Sequence, residues 1–252
     1  MTDDHLDAVT YHAADGIATI RLNQPATRNR LDHALVAGLE AAWRRFSASD
    51  ERVAVLAAAG DKAFTVGADL NDIPHDLYRA IPSVGVPVDK PVIGAVRGWC
   101  VGGGMVLTTM CDLLVAAEST MFSYPEVKVG FSGGLISNLA TRIPHKVAME
   151  LLLIGEPMTV QRAYEVGYVN RITADGQEEA TALEFAAKIR DAAPLPTEML
   201  KRFANAALPK GPSEVAAIAR VQVDHVNTSA DGAEGMAAFR ERPAGKLSGG
   251  MK

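Results

Sequence analysis

The chain has 252 residues, 48% of them hydrophobic and 22% charged, with a formal net charge of −5 and a pI of about 5.7. That length and apolar share support one α/β core with a smaller helical appendage, and the acidic balance excludes a basic face for nucleic acid or an anionic membrane. The apolar stretches fall short of a membrane span, the opening Met-Thr-Asp-Asp-His carries no secretory segment, and two cysteines, Cys100 and Cys111, make no disulfide framework, so a soluble cytoplasmic protein with reduced thiols is expected.

In chain order, residues 9–11 and Ile17–Leu22 flank Asp15-Gly16 and predict an N-terminal hairpin. Asp32 caps a predicted helix whose apolar face is Leu35, Leu39, Ala42 or Trp43, and Phe46. Val53–Ala58 reads as a strand apolar on both faces, which requires cover from both sides. Residues 71–90 hold Pro74, Pro82, Gly85 and Pro87 and read as an irregular lid. Val92–Val96, a glycine turn, a short helix at 105–110 and a strand at 111–116 repeat the strand–turn–helix theme. Further on come helices at 146–154 and 161–166, a strand at 168–172, and helices at 177–191, 197–207, 213–226 and 233–242, punctuated by Pro194, Pro196, Pro209 and Pro212. An α/β core over residues 1–190 is therefore expected to carry a helical region over 191–252.

The chemistry concentrates in three segments: Lys62 to Leu70, with Gly67 at its turn; Arg97 to Met105, with Gly102-Gly103-Gly104; and Tyr124-Pro125-Glu126. The first two each follow a buried strand and turn through glycine, which predicts a helix after each and free backbone N–H groups at the corner. Two such corners brought together make a two-donor oxyanion hole, and Glu126 supplies a movable proton beside it. At Asp69 the expectation is a helix N-cap.

Several segments, in order and spacing, resemble the enoyl-CoA hydratase/isomerase (crotonase) superfamily over nearly the full chain. They are Leu22-Asn23-Gln24-Pro25-Ala26-Thr27-Arg28-Asn29, Ala63-Phe64 through Ala68-Asp69-Leu70, Lys90-Pro91 through Arg97-Gly98, the glycine triplet, Cys111-Asp112, and Phe122-Ser123-Tyr124-Pro125-Glu126-Val127. Ala163 to Val169 and Glu234-Gly235-Met236-Ala237-Ala238-Phe239 in the tail fit as well. The resemblance implies an α/β fold, a crotonase-type spiral of repeated ββα units with a C-terminal helical region that serves assembly into homotrimers or dimers of trimers. It implies that the backbone N–H groups of Ala68 and Gly103 grip a thioester carbonyl, a kind of donor worth about 2.7–4 kcal/mol of transition-state stabilisation. It also implies that Arg28, Val66, Phe239 and Arg242 touch coenzyme A, which is part of the substrate; no metal or other cofactor is indicated, no ligand cluster being visible.

The sequence departs from the family's two-glutamate hydratases. Where they carry a first glutamate, this chain has Val106; only Glu126 remains, with Val106 and Phe131 expected to line the substrate pocket. Orienting and deprotonating a water while protonating carbon is easier with two carboxylates, whereas moving a double bond needs one base that removes a proton and returns it nearby. Enoyl-CoA isomerisation is therefore the expected reaction, with Val106 raising the Glu126 pKa toward neutrality. Alternatives are a hydratase that recruits Asp72, His75, Asp76 or Tyr78 from the lid, a catalytically silent acyl-CoA binder, and a serine hydrolase built on Gly130-Phe131-Ser132-Gly133-Gly134 with Asp224-His225.

Overall fold

The computed structural model describes residues 8–130 and 132–241. Strands β1 (Val9–Ala14) and β2 (Ile17–Leu22) form the hairpin about Asp15-Gly16, with β1 three residues longer than its apolar part suggested. Helix α1 (His33–Ala48) starts at Asp32, whose Oδ1 accepts from the Leu35 N–H at 2.9 Å, and buries Leu35, Leu39, Ala42, Trp43 and Phe46. Then follow β3 (Val53–Ala58), β4 (Ala63–Thr65), β5 (Val92–Val96), β6 (Trp99–Val101), α2 (Gly103–Thr109), β7 (Leu113–Ala117), β8 (Met121–Ser123) and α3 (Glu126–Val129). The remainder is α4 (His145–Ile154), β9 (Met158–Thr159), α5 (Val160–Glu165), β10 (Arg171–Thr173), α6 (Glu178–Arg190), α7 (Pro194–Ala207), α8 (Pro212–Asn227) and α9 (Ala230–Glu241).

The strands alternate between two sheets. A six-stranded sheet has the order β1-β2-β3-β5-β7-β10, parallel except for the hairpin; a four-stranded sheet has the order β4-β6-β8-β9, parallel except at β9. Each turn of chain thus leaves one strand in the large sheet and the next in the small one, which is the spiral of repeated ββα units. The large sheet is covered on both faces, as the fully apolar β3 and β5 require. One face meets α1 and the main core; Val53, Val55, Ile93, Ala95 and Val115 on the other meet Ala182 and Ala186 of α6. Cys100 and Cys111 are free and buried, and burial pushes the Cys100 thiol up to about 12.

Four local expectations are corrected. No helix follows Gly67; the chain turns, and Asp69 caps nothing helical. Its Oδ1 instead accepts from the Asn71 N–H at 3.0 Å, and its Oδ2 lies 3.2 Å from Arg30. The rear of the irregular segment is core: Ala80, Ile81, Val84, Val86 and Val88 are buried, and Trp43 Nε1 donates to the Ala80 carbonyl at 2.8 Å. Pro194 opens α7 instead of breaking the chain, as a missing N–H permits in a first helical turn. The strand expected at 168–172 is shortened to Arg171–Thr173, because the Tyr168 N–H closes α5 on the Ala163 carbonyl and its ring packs edge-on against Phe122.

The carboxyl ends of β4, β6 and β8, three parallel neighbours, point to one side of the small sheet. The three segments singled out for their chemistry leave those ends side by side. Parallel sheets place sites at this edge because each strand there hands over to a turn with unpaired backbone groups.

Candidate active site

The segment after β4 is held by a distant partner. The Leu31 N–H donates to the Gly67 carbonyl at 2.8 Å and the Asp69 N–H donates to the Leu31 carbonyl at 3.2 Å, a parallel bridge between Leu31 and Ala68. In such a bridge the partner bonds to the residues before and after, so the middle residue's own N–H faces away. Ala68 is that middle residue, and its N–H has no acceptor among the described residues.

After β6 the Gly102 N–H donates to the Ser123 carbonyl at 2.9 Å, and Gly102 turns at φ 54° and ψ −114° before α2 begins. Gly103 is the first residue of that helix, so its N–H is one of the orphan donors at a helix start. It too has no acceptor among the described residues. The two corners touch: a Cβ on Gly67 would lie 2.9 Å from the Val101 carbonyl oxygen and 3.5 Å from Gly102 Cα. Only glycine allows that approach.

Glu126 follows β8 as the first residue of α3. A Cβ on Gly102 would lie 2.9 Å from Glu126 Oε1, so the carboxylate rests against the corner that presents Gly103. Its Oε2 is buried and has no hydrogen-bond partner. Burial pushes the carboxyl up to about 7, offset only by a bond to its own backbone. The shift has the direction expected from its apolar setting. Val106 and Tyr124 line the same cavity and are each 5% exposed. Burial also pushes the Tyr124 phenol up to about 12, and its OH lies 3.3 Å from Ser132 Oγ.

These groups line one cavity of about 540 Å³, which takes in Ala68, Gly103, Val106, Tyr124 and Glu126. Its remaining walls come from the front of the irregular segment, Leu135 and α8. Among the described residues, Glu126 is the sole carboxylate in its lining. A second, more open hollow of about 460 Å³ joins it, sharing Val66 and Val101 and adding Arg28, Lys62 and Trp99. An exposed guanidinium, an ammonium and an exposed indole suit an anionic, flat-ringed group.

The structure thus brings Val66, Ala68, Gly103, Val106 and Glu126 to one cavity and Arg28 to its annex. Phe131 and Arg242 lie outside the described residues; Phe239 falls within α9, with its side chain outside the description. Of the lid's candidate acids, His75 and Tyr78 reach the cavity, but Asp72 and Asp76 do not: Asp72 lies 3.4 Å from His33 and Asp76 lies 3.9 Å from Arg79. Sequence reasoning missed Tyr124 as a wall and Arg220 altogether. The serine elbow is not formed, since a helical turn precedes exposed Ser132 and Asp224 is engaged by Arg79 and Arg220.

Asn29 ties the site to the core. Fully buried at φ 52°, its Oδ1 accepts from the Gln24 N–H at 2.8 Å, and its Nδ2 donates to the Ala59 and Ala63 carbonyls at 2.9 and 3.3 Å. Its own carbonyl accepts from Thr65 Oγ1 at 2.5 Å. Asn29→Ala leaves one buried and two part-buried backbone groups short of a partner, and an alanine in a left-handed conformation. A loss of about 3 kcal/mol is expected, measured as the urea midpoint, together with reduced turnover because Leu31 and hence Ala68 shift.

The sequence profile of the family described as enoyl-CoA hydratase/isomerase matches residues 12–248. The chain is 34% identical over 210 residues to the (E)-benzylidenesuccinyl-CoA hydratase of Thauera aromatica, covering 78% of this chain and 81% of that one. Among solved structures, a probable enoyl-CoA hydratase/isomerase from Mycobacterium abscessus is similar with a TM-score of 0.75 and 36% identity, over 93% of this chain and 96% of that one. A carnitinyl-CoA hydratase from Mycobacterium avium also gives a TM-score of 0.75, at 32% identity over 93% and 96%. The chain belongs to the enoyl-CoA hydratase/isomerase, or crotonase, family of enzymes that act on acyl-CoA thioesters.

Proposed function

We propose that this protein moves the double bond of an enoyl-CoA thioester from the 3- to the 2-position, with Glu126 as the sole proton carrier. The observation that carries this reading is that Glu126, with a buried and unpartnered Oε2, faces a cavity whose other described residues include no second carboxylate. The thioester carbonyl accepts hydrogen bonds from the Ala68 and Gly103 N–H groups. Ionised Glu126 removes a proton from C2, and the electron pair spreads over the dienolate onto the thioester oxygen. The proton then returns from Glu126 to C4, leaving the conjugated thioester and the carboxylate as it began. No water is consumed, which suits the apolar wall at Val106. The nucleotide end of coenzyme A lies in the annex, its phosphates near Arg28 and Lys62 and its adenine near Trp99 and Val66. No further cofactor takes part.

The exposed apolar side chains of α7, including Leu195 at 79% and Phe203 at 64%, support a role for the helical region in self-assembly as a trimer or dimer of trimers. Sedimentation at micromolar concentration tests that.

A second reading, hydration of a 2-enoyl-CoA, is favoured by the hydratase names of two of the relatives. Purified protein offered a 3-enoyl-CoA should raise the absorbance of the conjugated thioester. A fall on a 2-enoyl-CoA, without a rise on the 3-enoyl substrate, would replace isomerisation by hydration and turn attention to Tyr124 as the group that holds water.

A pH profile follows from the Glu126 shift. The base form is the carboxylate, so kcat/KM should climb as pH rises through about 7 and level off above it. A profile flat from pH 5 to 8 would mean that Glu126 is not the base.

A further inference from the structure

A wall of the main cavity that does not border the annex carries a cation that proton transfer does not use. Arg220, on α8, lines the main cavity together with Ser213, Ala216 and Ala217. None of these borders the annex, where Arg28 and Lys62 stand. Asp224 Oδ1 holds Arg220 Nε at 3.0 Å, while Asp224 Oδ2 accepts from Arg79 Nη2 at 2.8 Å and from the Tyr78 hydroxyl at 3.3 Å. Arg79 in turn lies 3.3 Å from Glu40 and 3.9 Å from Asp76. Asp224 is therefore spent on three partners and lies outside the cavity lining. Asp224 is the one ion-pair partner of Arg220 among the described residues. Among the described residues, Arg220 is the one guanidinium or ammonium lining this cavity, and Glu126, given to proton transfer, its one carboxylate.

We infer that Arg220 selects acyl chains that end in a carboxylate, so that the substrate is the monothioester of a dicarboxylic acid; this rests on the reading of the cavity as an acyl-CoA site. A guanidinium is a planar fork that matches two carboxylate oxygens. Asp224, itself held by Arg79 and Tyr78, keeps the guanidinium beside the cavity, while 66% exposure of the Arg220 side chain leaves it reachable by a ligand. An aliphatic chain would displace water from the same fork and give nothing back. The phosphates of coenzyme A, the other anions in such a ligand, have their own cations in the annex.

Binding of unreactive saturated thioesters tests this without relying on turnover. Succinyl-, glutaryl- and adipyl-CoA, each paired with the neutral thioester of equal carbon count, and free coenzyme A are titrated calorimetrically into wild type, R220M and R220K. For at least one length, wild type should bind the carboxylated member about five- to tenfold tighter. R220M should bring that ratio to within about twofold of one, and R220K, a point charge without the fork, should fall between. A ratio near one in wild type at every length, or a preference that survives R220M, overturns the inference. So does an R220M that weakens all ligands and free coenzyme A alike, which would place Arg220 on a phosphate. If no coenzyme A species binds, the acyl-CoA reading of the cavity falls and takes this inference with it; if neutral thioesters bind and carboxylated ones gain nothing, only the inference falls.

Discussion

Glu126→Gln should lower turnover by about a thousandfold or more, toward the upper part of the range for loss of a positioned general base, while acyl-CoA binding changes little. Glutamine keeps the shape of the side chain and can still touch the Gly102 corner, but cannot take a proton. Rapid-mixing absorbance for the rate and calorimetry for the affinity separate the two effects. Turnover within tenfold of wild type would remove Glu126 from the chemistry. The same substitution has a stability signature whose sign is fixed. The carboxyl stands at about 7 in the folded protein against a model value of 4.5, so between those values the folded state holds the proton more tightly than the unfolded chain. Wild-type stability should therefore decline as pH rises from about 4.5 to 7 and level off above. Glu126→Gln should lack that decline, and its melting temperature should gain on wild type at pH 8 relative to pH 5. Loss of activity together with a gain in stability at high pH is the expected mark of a buried carboxylate kept for function.

What could be read from the chain alone follows a physical division. Val53–Ala58 and Val92–Val96 are apolar at every position because both faces of their sheet are covered, and that shows in any window of sequence. Asp32 announces a helix start because the cap bond is local. Glu126 after proline, and two glycine corners after strands, carried enough chemistry to outline a proton-transfer site. The rest depends on contacts between distant segments. That the Ala68 N–H is free is a consequence of Leu31 bonding on either side of it, and nothing at Gly67-Ala68-Asp69 declares that; the helix expected there does not form because Leu31 takes the backbone bonds. Alternating valines at 84, 86 and 88 are a burial signal that the surrounding prolines hid. Arg220 lies in a helix about a hundred residues after Glu126, and only the return of α8 across the cavity gives it a neighbour to act on.

The same distinction between local and distant contacts makes Gly102 the sharpest probe of how the site is assembled. Gly102→Ala should lower kcat by about a hundred- to a thousandfold, the cost of losing one oxyanion donor, with the protein still folded. Two separate effects converge there. Its φ of 54° with ψ of −114° is a conformation L side chains avoid, so alanine either strains the turn by about 1–3 kcal/mol or rotates it, and the next N–H in the chain is that of Gly103. The added methyl would also lie 2.9 Å from Glu126 Oε1, which pushes the proton carrier away from the corner. Gly103→Ala provides the contrast. Its φ is not in the left-handed region, and its Cβ would meet the Cδ1 of buried Leu31 at 2.6 Å, a side-chain end rather than backbone, so the packing there has to shift. That variant should stay within about tenfold of wild type if only packing is disturbed, well short of losing an oxyanion donor. A Gly102→Ala enzyme as fast as wild type would show that the Gly103 amide and Glu126 do not share one reacting centre. If both variants were equally slow, the hole would be limited by room for the thioester rather than by the direction of its donors.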